Sequence, residues 1–368
     1  MRHTRGRVVE IETLAEFDHR LARGARTLSG WWVKAVDLSG RSAELARCDV
    51  AGASFLGCTF AEGDAERVEA RGGTVFPTIR GVPVDPFRSS LYTATELYDA
   101  ASYPDTLDAR AYAWSKGPVD QESLLAQALH DHAIDQALVD WVRPRHLVGV
   151  MGGHQVQRGE PAYADAARLG RLLAAAHVVT TGGGPGAMEA ANLGARLSRR
   201  PVEEHDAALP ALAEVPSYHP SVGAWAQVAL DVLERLPGRT ESLGIPTWHY
   251  GHEPPNVFAT AIAKYFRNAT REAILVEVCD AGIVFLPGVG GTVQEVFQDG
   301  CENFYADESS VAPMVLVGRT YWTETVPAWP LLSSLARGRV MESHVHLVDT
   351  IEEAADLIEN TTRGAHEN

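Results

Sequence analysis

Two glutamates, each a few residues past a glycine-rich turn, mark where this chain could do chemistry. The stretch Pro287-Gly-Val-Gly-Gly-Thr-Val-Gln-Glu295 follows an apolar run, Gly282 to Leu286, that reads as a buried parallel strand. It precedes Val293 to Tyr305, whose Val293, Val296, Phe297 and Phe304 suit the apolar face of a helix. In that order, the backbone N–H groups of Gly290, Gly291 and Thr292 lack intrahelical acceptors and have the positive end of the helix dipole behind them. With Gly288 beside them they form a cradle for an anion such as a phosphate. Glu295 shares a helix face with Gly291, and the helix N-terminus is expected to keep its carboxyl ionised.

A second turn of the same kind occurs earlier. His177 to Thr181 enters Gly182-Gly-Gly-Pro-Gly-Ala-Met-Glu189, and a helix from Ala190 to Leu197 follows in the pattern. Pro185 suits a first helical turn, where a missing N–H costs nothing. Gly183, Gly184, Gly186, Met188 and Glu189 are therefore candidate ligand contacts. One glycine turn is common, but two, each strand-flanked and each followed by glutamate, point to a nucleotide or sugar-phosphate site. Leu147 to Met151 reads as the first strand of the same domain. It runs into Gly152, Gly153 and His154, with Arg158 beyond, a loop position where nucleotide domains bind ligands. Asn256, closing Glu253-Pro-Pro-Asn256, suits a helix cap or a base or ribose contact. Arg271 offers a permanent charge and a planar fork for a phosphate or a leaving base. Arg267 could share that role, and a surface pair between Arg271 and Glu272 is the plainer alternative.

The P-G-x-x-G-T-x-x-E and G-G-G-P-G-A-M-E elements resemble those of the LOG (LONELY GUY) nucleoside 5′-monophosphate phosphoribohydrolases, proteins often mislabelled lysine decarboxylases. Glu253 to Asn256 and the long chain resemble the bacterial nucleotide 5′-monophosphate nucleosidases of that superfamily. The resemblance spans roughly residues 147 to 358. It implies a Rossmann-like fold, a catalytic pair of Glu295 and Arg271 (the latter at the family's separation from Asp280), and a nucleotide near Glu189. It also implies a substrate base lying toward Pro246 to Asn256, a homodimer or homotetramer, and hydrolysis without metal or organic cofactor to free base and ribose 5-phosphate. The chain departs from the family at Val289, where a second consecutive glycine is usual and a side chain narrows the approach to the phosphate. A similarity to molybdenum-cofactor carrier proteins leaves a non-catalytic nucleotide or cofactor carrier as the alternative.

The elements that must position these residues alternate strand and helix, as in a doubly wound α/β fold with a parallel sheet. Further strands are expected at Met314–Val317 and Val345–Val348, helices around Tyr163 to Leu173, Val257 to Cys279 (with Asn268 as a point where it could break) and Ile351 to Ile358, and a strand with an insertion between about residues 200 and 255. This domain is taken as residues 141–368, with residues 1–140 as a smaller accessory domain. There Ala43, Cys48, Ala53 and Cys58, and likewise Leu45, Val50, Phe55 and Phe60, recur at five-residue spacing. That resembles a short pentapeptide-like β-coil over residues 43–60, and an alternating β-hairpin explains it as well. Gln121 to Trp141 reads as a linking helix.

Composition narrows the function. The net charge is −16, which disfavours a nucleic-acid polymer or an anionic membrane as partner. Hydrophobic residues make up 45% and charged residues 22%, as in ordinary soluble proteins. No apolar run is long enough for a membrane span, and Met1 to Arg7 lacks the apolar core of a leader, so a cytoplasmic protein is expected. Four cysteines without C-x-x-C spacing point to neither zinc nor a disulfide framework. A pyridoxal-phosphate decarboxylase needs a suitably placed lysine, and Lys34, Lys116 and Lys264 lack such a setting. The G-x-G-x-x-G of dinucleotide oxidoreductases is missing after the first strand.

Overall fold

The structure, a computed structural model, describes residues 9–118, 120–249 and 253–366. Met1 to Arg7, and residues 250–252 of the expected insertion, lie outside the described residues. The chain divides into two compact units, one within Met1–Ser89 and Val119–Ala133, the other within Ser90–Pro118 and Ile134–Asn368. The expected linking helix is present as Gln121–Val142. The 140/141 boundary falls inside it, and residues 90–118 belong with the second unit.

In the first unit, four short strands, β1 (Val9–Ile11), β2 (Trp31–Lys34), β3 (Ser54–Leu56) and β4 (Thr74–Phe76), pair in parallel and in chain order. Helices Leu14–Ala22, Ser42–Arg47 and Asp64–Ala70 make the connections. Residues 43–60 therefore form neither a pentapeptide coil nor a hairpin. The repeat is longer: Val9 pairs with Trp31, Trp32 with Ser54 and Ser54 with Thr74, steps of about 20 residues typical of β–α solenoids. Gly30, Gly52 and Gly72 recur at its corner with φ of 77°, 74° and 86°, a left-handed conformation that glycine adopts without steric cost. The five-residue spacing arose because Leu45, Cys48, Val50, Ala53, Phe55 and Cys58 all reach one core from helix, loop and strand.

The second unit holds a seven-stranded sheet. Its strands are β5 (Leu147–Met151), β6 (Val178–Thr181), β7 (Ser242–Gly244), β8 (Ala261–Ile262), β9 (Ile283–Phe285), β10 (Met314–Val317) and β11 (Val345–Val348). All pair in parallel, in the order β11-β10-β9-β5-β6-β7-β8. This is the doubly wound arrangement expected. The strands read as apolar runs because they are covered on both faces: Val148, Val150, Val179, Val284, Phe285 and Leu316 are fully buried. Helix Pro161–Leu173 packs against both Ala187–Arg196 and Ile351–His366, and helix Gly290–Tyr305 against both Asn268–Glu277 and Ala328–Ala336. The first of these pairs approaches closely through Gly170 and Gly194, where a β-carbon would lie 2.1 Å from Ala191 O and 1.7 Å from Ala167 O.

Two expectations fail here. Val257 to Phe266 is not helical: it holds β8, and the helix begins only at Asn268. The run is buried except for half-buried Thr260, and a short apolar run without periodicity does not distinguish strand from helix. Second, the Gly290–Tyr305 helix does not turn Val293, Phe297 and Phe304 inward. Its buried residues are Thr292, Glu295, Val296, Asp299, Gly300 and Asn303, a largely polar face.

Candidate functional site

The chain runs outward from the middle of the sheet in both directions: β5 leads through β6 and β7 to one edge, and β9 beside it leads through β10 to the other. Connections leaving the carboxyl ends of β5 and β9 therefore diverge and leave a crevice, the place where ligands bind in such sheets. A pocket of about 600 Å³ lies there. Gly152, Gly153 and His154 enter it from β5, and Gly182, Gly184 and Met188 from β6. Pro246 and Thr247 follow β7, and Val289 to Thr292, Gln294 and Glu295 follow β9. Glu253, Arg271 and Glu272 complete the wall.

After β9 the glycine turn leads directly into a helix. Helix Gly290–Tyr305 starts with Val289 at its cap position, and the first backbone bond into it is Val293 N–H to Val289 O at 2.9 Å. Among the described residues, no protein acceptor takes the N–H groups of Gly290, Gly291 or Thr292. Gly290 and Gly291 have nothing within 4 Å of where a β-carbon would sit. Gly288 does a different job. It does not line the pocket; a β-carbon there would lie 2.3 Å from Thr292 Oγ1 and 3.1 Å from Gly153 N, so its absence lets two loops touch.

The turn after β6 serves mainly to hold the site. Gly184 and Met188 face the pocket, whereas Gly183 and Gly186 do not. Gly183 and Gly186 have φ of 72° and 75°, and β-carbons there would strike Pro246 Cδ at 2.6 Å and Gly153 O at 2.5 Å. Ala187 N–H donates to Gly153 O at 3.1 Å, which gives part of that helix start a protein partner.

Glu189 departs from expectation. It forms a buried two-point pair with Arg158, Nε to Oε2 at 3.1 Å and Nη2 to Oε1 at 2.5 Å, both side chains about 1% exposed. Arg158 also donates to Trp225 O and Val215 O, tying down the loop before the Val222–Arg235 helix. Glu189 borders a neighbouring cavity of about 410 Å³ with Tyr218 and Trp225, and does not line the first. Asn256 neither caps a helix nor faces the pocket. Its amide donates to Gly184 O and Asn192 Oδ1, and its Oδ1 accepts from Phe258 N and Ala259 N. It is fully buried and holds the glycine turn in place.

The chemistry concentrates at Arg271. Its Nε donates to Ile245 O at 2.7 Å and its Nη2 to Gly182 O at 3.3 Å, pinning the ends of β7 and β6. Nη1 lies 2.8 Å from Glu272 Oε1 and 3.7 Å from Glu295 Oε1. One guanidinium thus faces two buried carboxyl groups. Burial pushes the Glu295 carboxyl up from 4.5 to about 8; Arg271 opposes the rise, and Glu272 and Glu253 add to it. Glu295 therefore holds its proton at neutral pH, the reverse of what the helix dipole alone implied. At the rim, Glu253 Oε1 lies 3.6 Å from His154 Nδ1.

Arg267 is exposed and outside the pocket wall. Asp280 lies at the far end of the sheet, accepting from His146 Nδ1 at 2.8 Å and Leu147 N at 2.7 Å. Lys264 is buried on Asp108 at 2.5 Å, also away from the pocket. Sequence reading passed over Glu272 and Glu253 as site residues. Their signal was placement, Glu272 next to Arg271 and Glu253 in the segment assigned to the base.

Fold and pocket together define a parallel, doubly wound α/β domain with a pocket at its switch point. No protein-family model matches the chain, and neither does any curated protein. Among solved structures it is similar to the molybdenum cofactor binding protein of the phototrophic bacterium Rippkaea orientalis, at 20% identity over 59% of this chain and 98% of that one, TM-score 0.38. It is also similar to the Moco carrier protein of Chlamydomonas reinhardtii, at 17% identity over 60% and 99%, TM-score 0.37. The fold class rests on the strand order above. Among the described residues no helix is long and apolar enough to cross a membrane, and no group of three or more His, Cys, Asp or Glu side chains is arranged to hold a metal ion.

Proposed function

We propose that this pocket hydrolyses the N-glycosidic bond of a nucleoside 5′-monophosphate, releasing the free base and ribose 5-phosphate. The observation that carries the reading is the buried Glu295–Arg271–Glu272 group beside unpartnered helix-start N–H groups. The 5′-phosphate sits on the amides of Gly290, Gly291 and Thr292. As the C1′–N bond breaks, positive charge builds on the ribose and the base leaves as an anion unless protonated. Glu295, protonated at neutral pH, gives its proton to the departing nitrogen. A water oxygen adds to C1′, and its proton returns to Glu295. Arg271 holds both carboxyl groups and the two loops at fixed distances. This reading places the chain with the LOG-type phosphoribohydrolases it resembles, acting as a cytoplasmic homo-oligomer on a free mononucleotide.

The test is ribose 5-phosphate release from a panel of nucleoside 5′-monophosphates, with Glu295→Gln alongside. Release from one or a few nucleotides, lost by about 10²-fold or more in the variant, supports the reading. A second reading has its own observations: Val289 is 55% exposed at the cradle mouth, and Arg271 is already engaged by three protein groups. A carrier of a nucleotide or of a molybdenum cofactor would need no more than this. Tight binding without release from any nucleotide decides for it.

A further inference from the structure

Glu272 has one oxygen too few partners. Its Oε1 meets Arg271 Nη1 at 2.8 Å and accepts from Asn268 Nδ2 at 3.2 Å. Its Oε2 is buried and has no hydrogen-bond partner. The residue is 5% exposed, and it lines the pocket. A buried acceptor left empty is costly, and a ligand that supplies a donor removes the cost. Glu272 is joined through Arg271 to Glu295, which lies four residues beyond Gly291. Glu272, Glu295 and the N–H groups of Gly290, Gly291 and Thr292 thus border one pocket. A sugar 5-phosphate carries both the phosphate that free helix-start N–H groups take and the hydroxyl donors that an unpartnered carboxyl oxygen lacks.

Resting on the hydrolase reading, we infer that Glu272 Oε2 accepts a hydrogen bond from the 2-hydroxyl of a ribose 5-phosphate unit, and so selects ribonucleotides over deoxyribonucleotides. The neighbouring carboxyl of Glu295 stays free for the leaving base. Glu272 is then a substrate contact as well as the ion partner of Arg271.

Ribose 5-phosphate, 2-deoxyribose 5-phosphate and inorganic phosphate serve as probes, because none can be turned over. Titration calorimetry on the full chain should show ribose 5-phosphate binding about 10- to 100-fold tighter than its deoxy counterpart. Glu272→Ala should bring that ratio close to one. Glu272→Gln, which keeps an acceptor without the charge, should lower it at least about threefold and covers the case in which the alanine variant fails to fold. Taking the ratio within each protein cancels any general change in attraction for phosphate. Equal binding of the two sugars by the unaltered chain, or a ratio that survives in the variants, overturns the assignment of Glu272 alone. If none of the probes binds, inorganic phosphate included, the anion-site reading falls and takes this inference with it.

Discussion

Glu295→Gln should stabilise the folded chain, and the gain should grow with pH. Burial holds the native carboxyl at about 8 against 4.5 in an exposed chain. Between those values the native state keeps a proton that the unfolded state has lost. The contribution of Glu295 to stability is therefore greatest below pH 4.5, falls as pH rises, and levels off above about 8. At 1.36 kcal/mol per pKa unit, ionisable Glu295 costs about 2 kcal/mol at pH 6 and about 5 kcal/mol at pH 9. Glutamine has no such cost. The gap between variant and parent should widen by about 3 kcal/mol over that range, an upper figure because water entry on ionisation relieves part of it. Urea unfolding followed by tryptophan fluorescence at pH 6, 7.5 and 9 measures it. Parallel stability curves for the two proteins would refute the claim that Glu295 is a buried acid.

Other substitutions separate structural from ligand-facing residues. Arg158→Ala leaves Glu189 buried and unpaired and should cost about 3–5 kcal/mol in thermal unfolding, while Arg158→Met with Glu189→Leu should recover most of that. Equal losses in the single and double variants would show that the pair is not what matters. Gly288→Ala forces a β-carbon against Thr292 and Gly153 and should weaken inorganic phosphate binding, whereas Gly290→Ala, with open space around it, should leave the fold intact. If both behave alike in calorimetry, the close approach at Gly288 does not shape the cradle. Val289→Gly removes the exposed side chain at the cradle mouth and should tighten phosphate binding; unchanged affinity would mean that Val289 does not narrow the site.

The sheet was readable where strands are buried on both faces and bounded by glycine, as at β5, β6 and β9. It was not readable at β8, two residues within a mostly buried run, where pattern has no period to report. The solenoid repeat was hidden for another reason. Its recurrences at Gly30, Gly52 and Gly72 are sparse, while the five-residue coincidence among inward residues was dense. Within the site, Glu295, Arg271, Gly290 and Thr292 were identified by residue type. Gly183, Gly186, Gly288, Glu189 and Asn256 were identified by type too, but types that build a tight loop are the types that touch a phosphate. Only the packing separates the two uses.

Burial is the quantity that sequence did not supply, and it reverses the sign of the central electrostatic argument. The Gly290 helix turns Thr292, Glu295, Asp299 and Asn303 inward, where an apolar face would stabilise the fold better. Asp299 is likewise pushed well above the usual carboxylate range by burial, yet it bonds Asn303 and lies outside the pocket wall. Glu295 differs in facing both the cavity and the guanidinium of Arg271. An acid retained there at a cost to stability is the kind of local inconsistency that marks a working site. The two measurements on Glu295→Gln read that together. A variant more stable at high pH and silent in ribose 5-phosphate release shows an acid kept for chemistry. One that is more stable and still turns over leaves Glu295 without a part in the reaction, and moves the proton donor elsewhere in the pocket.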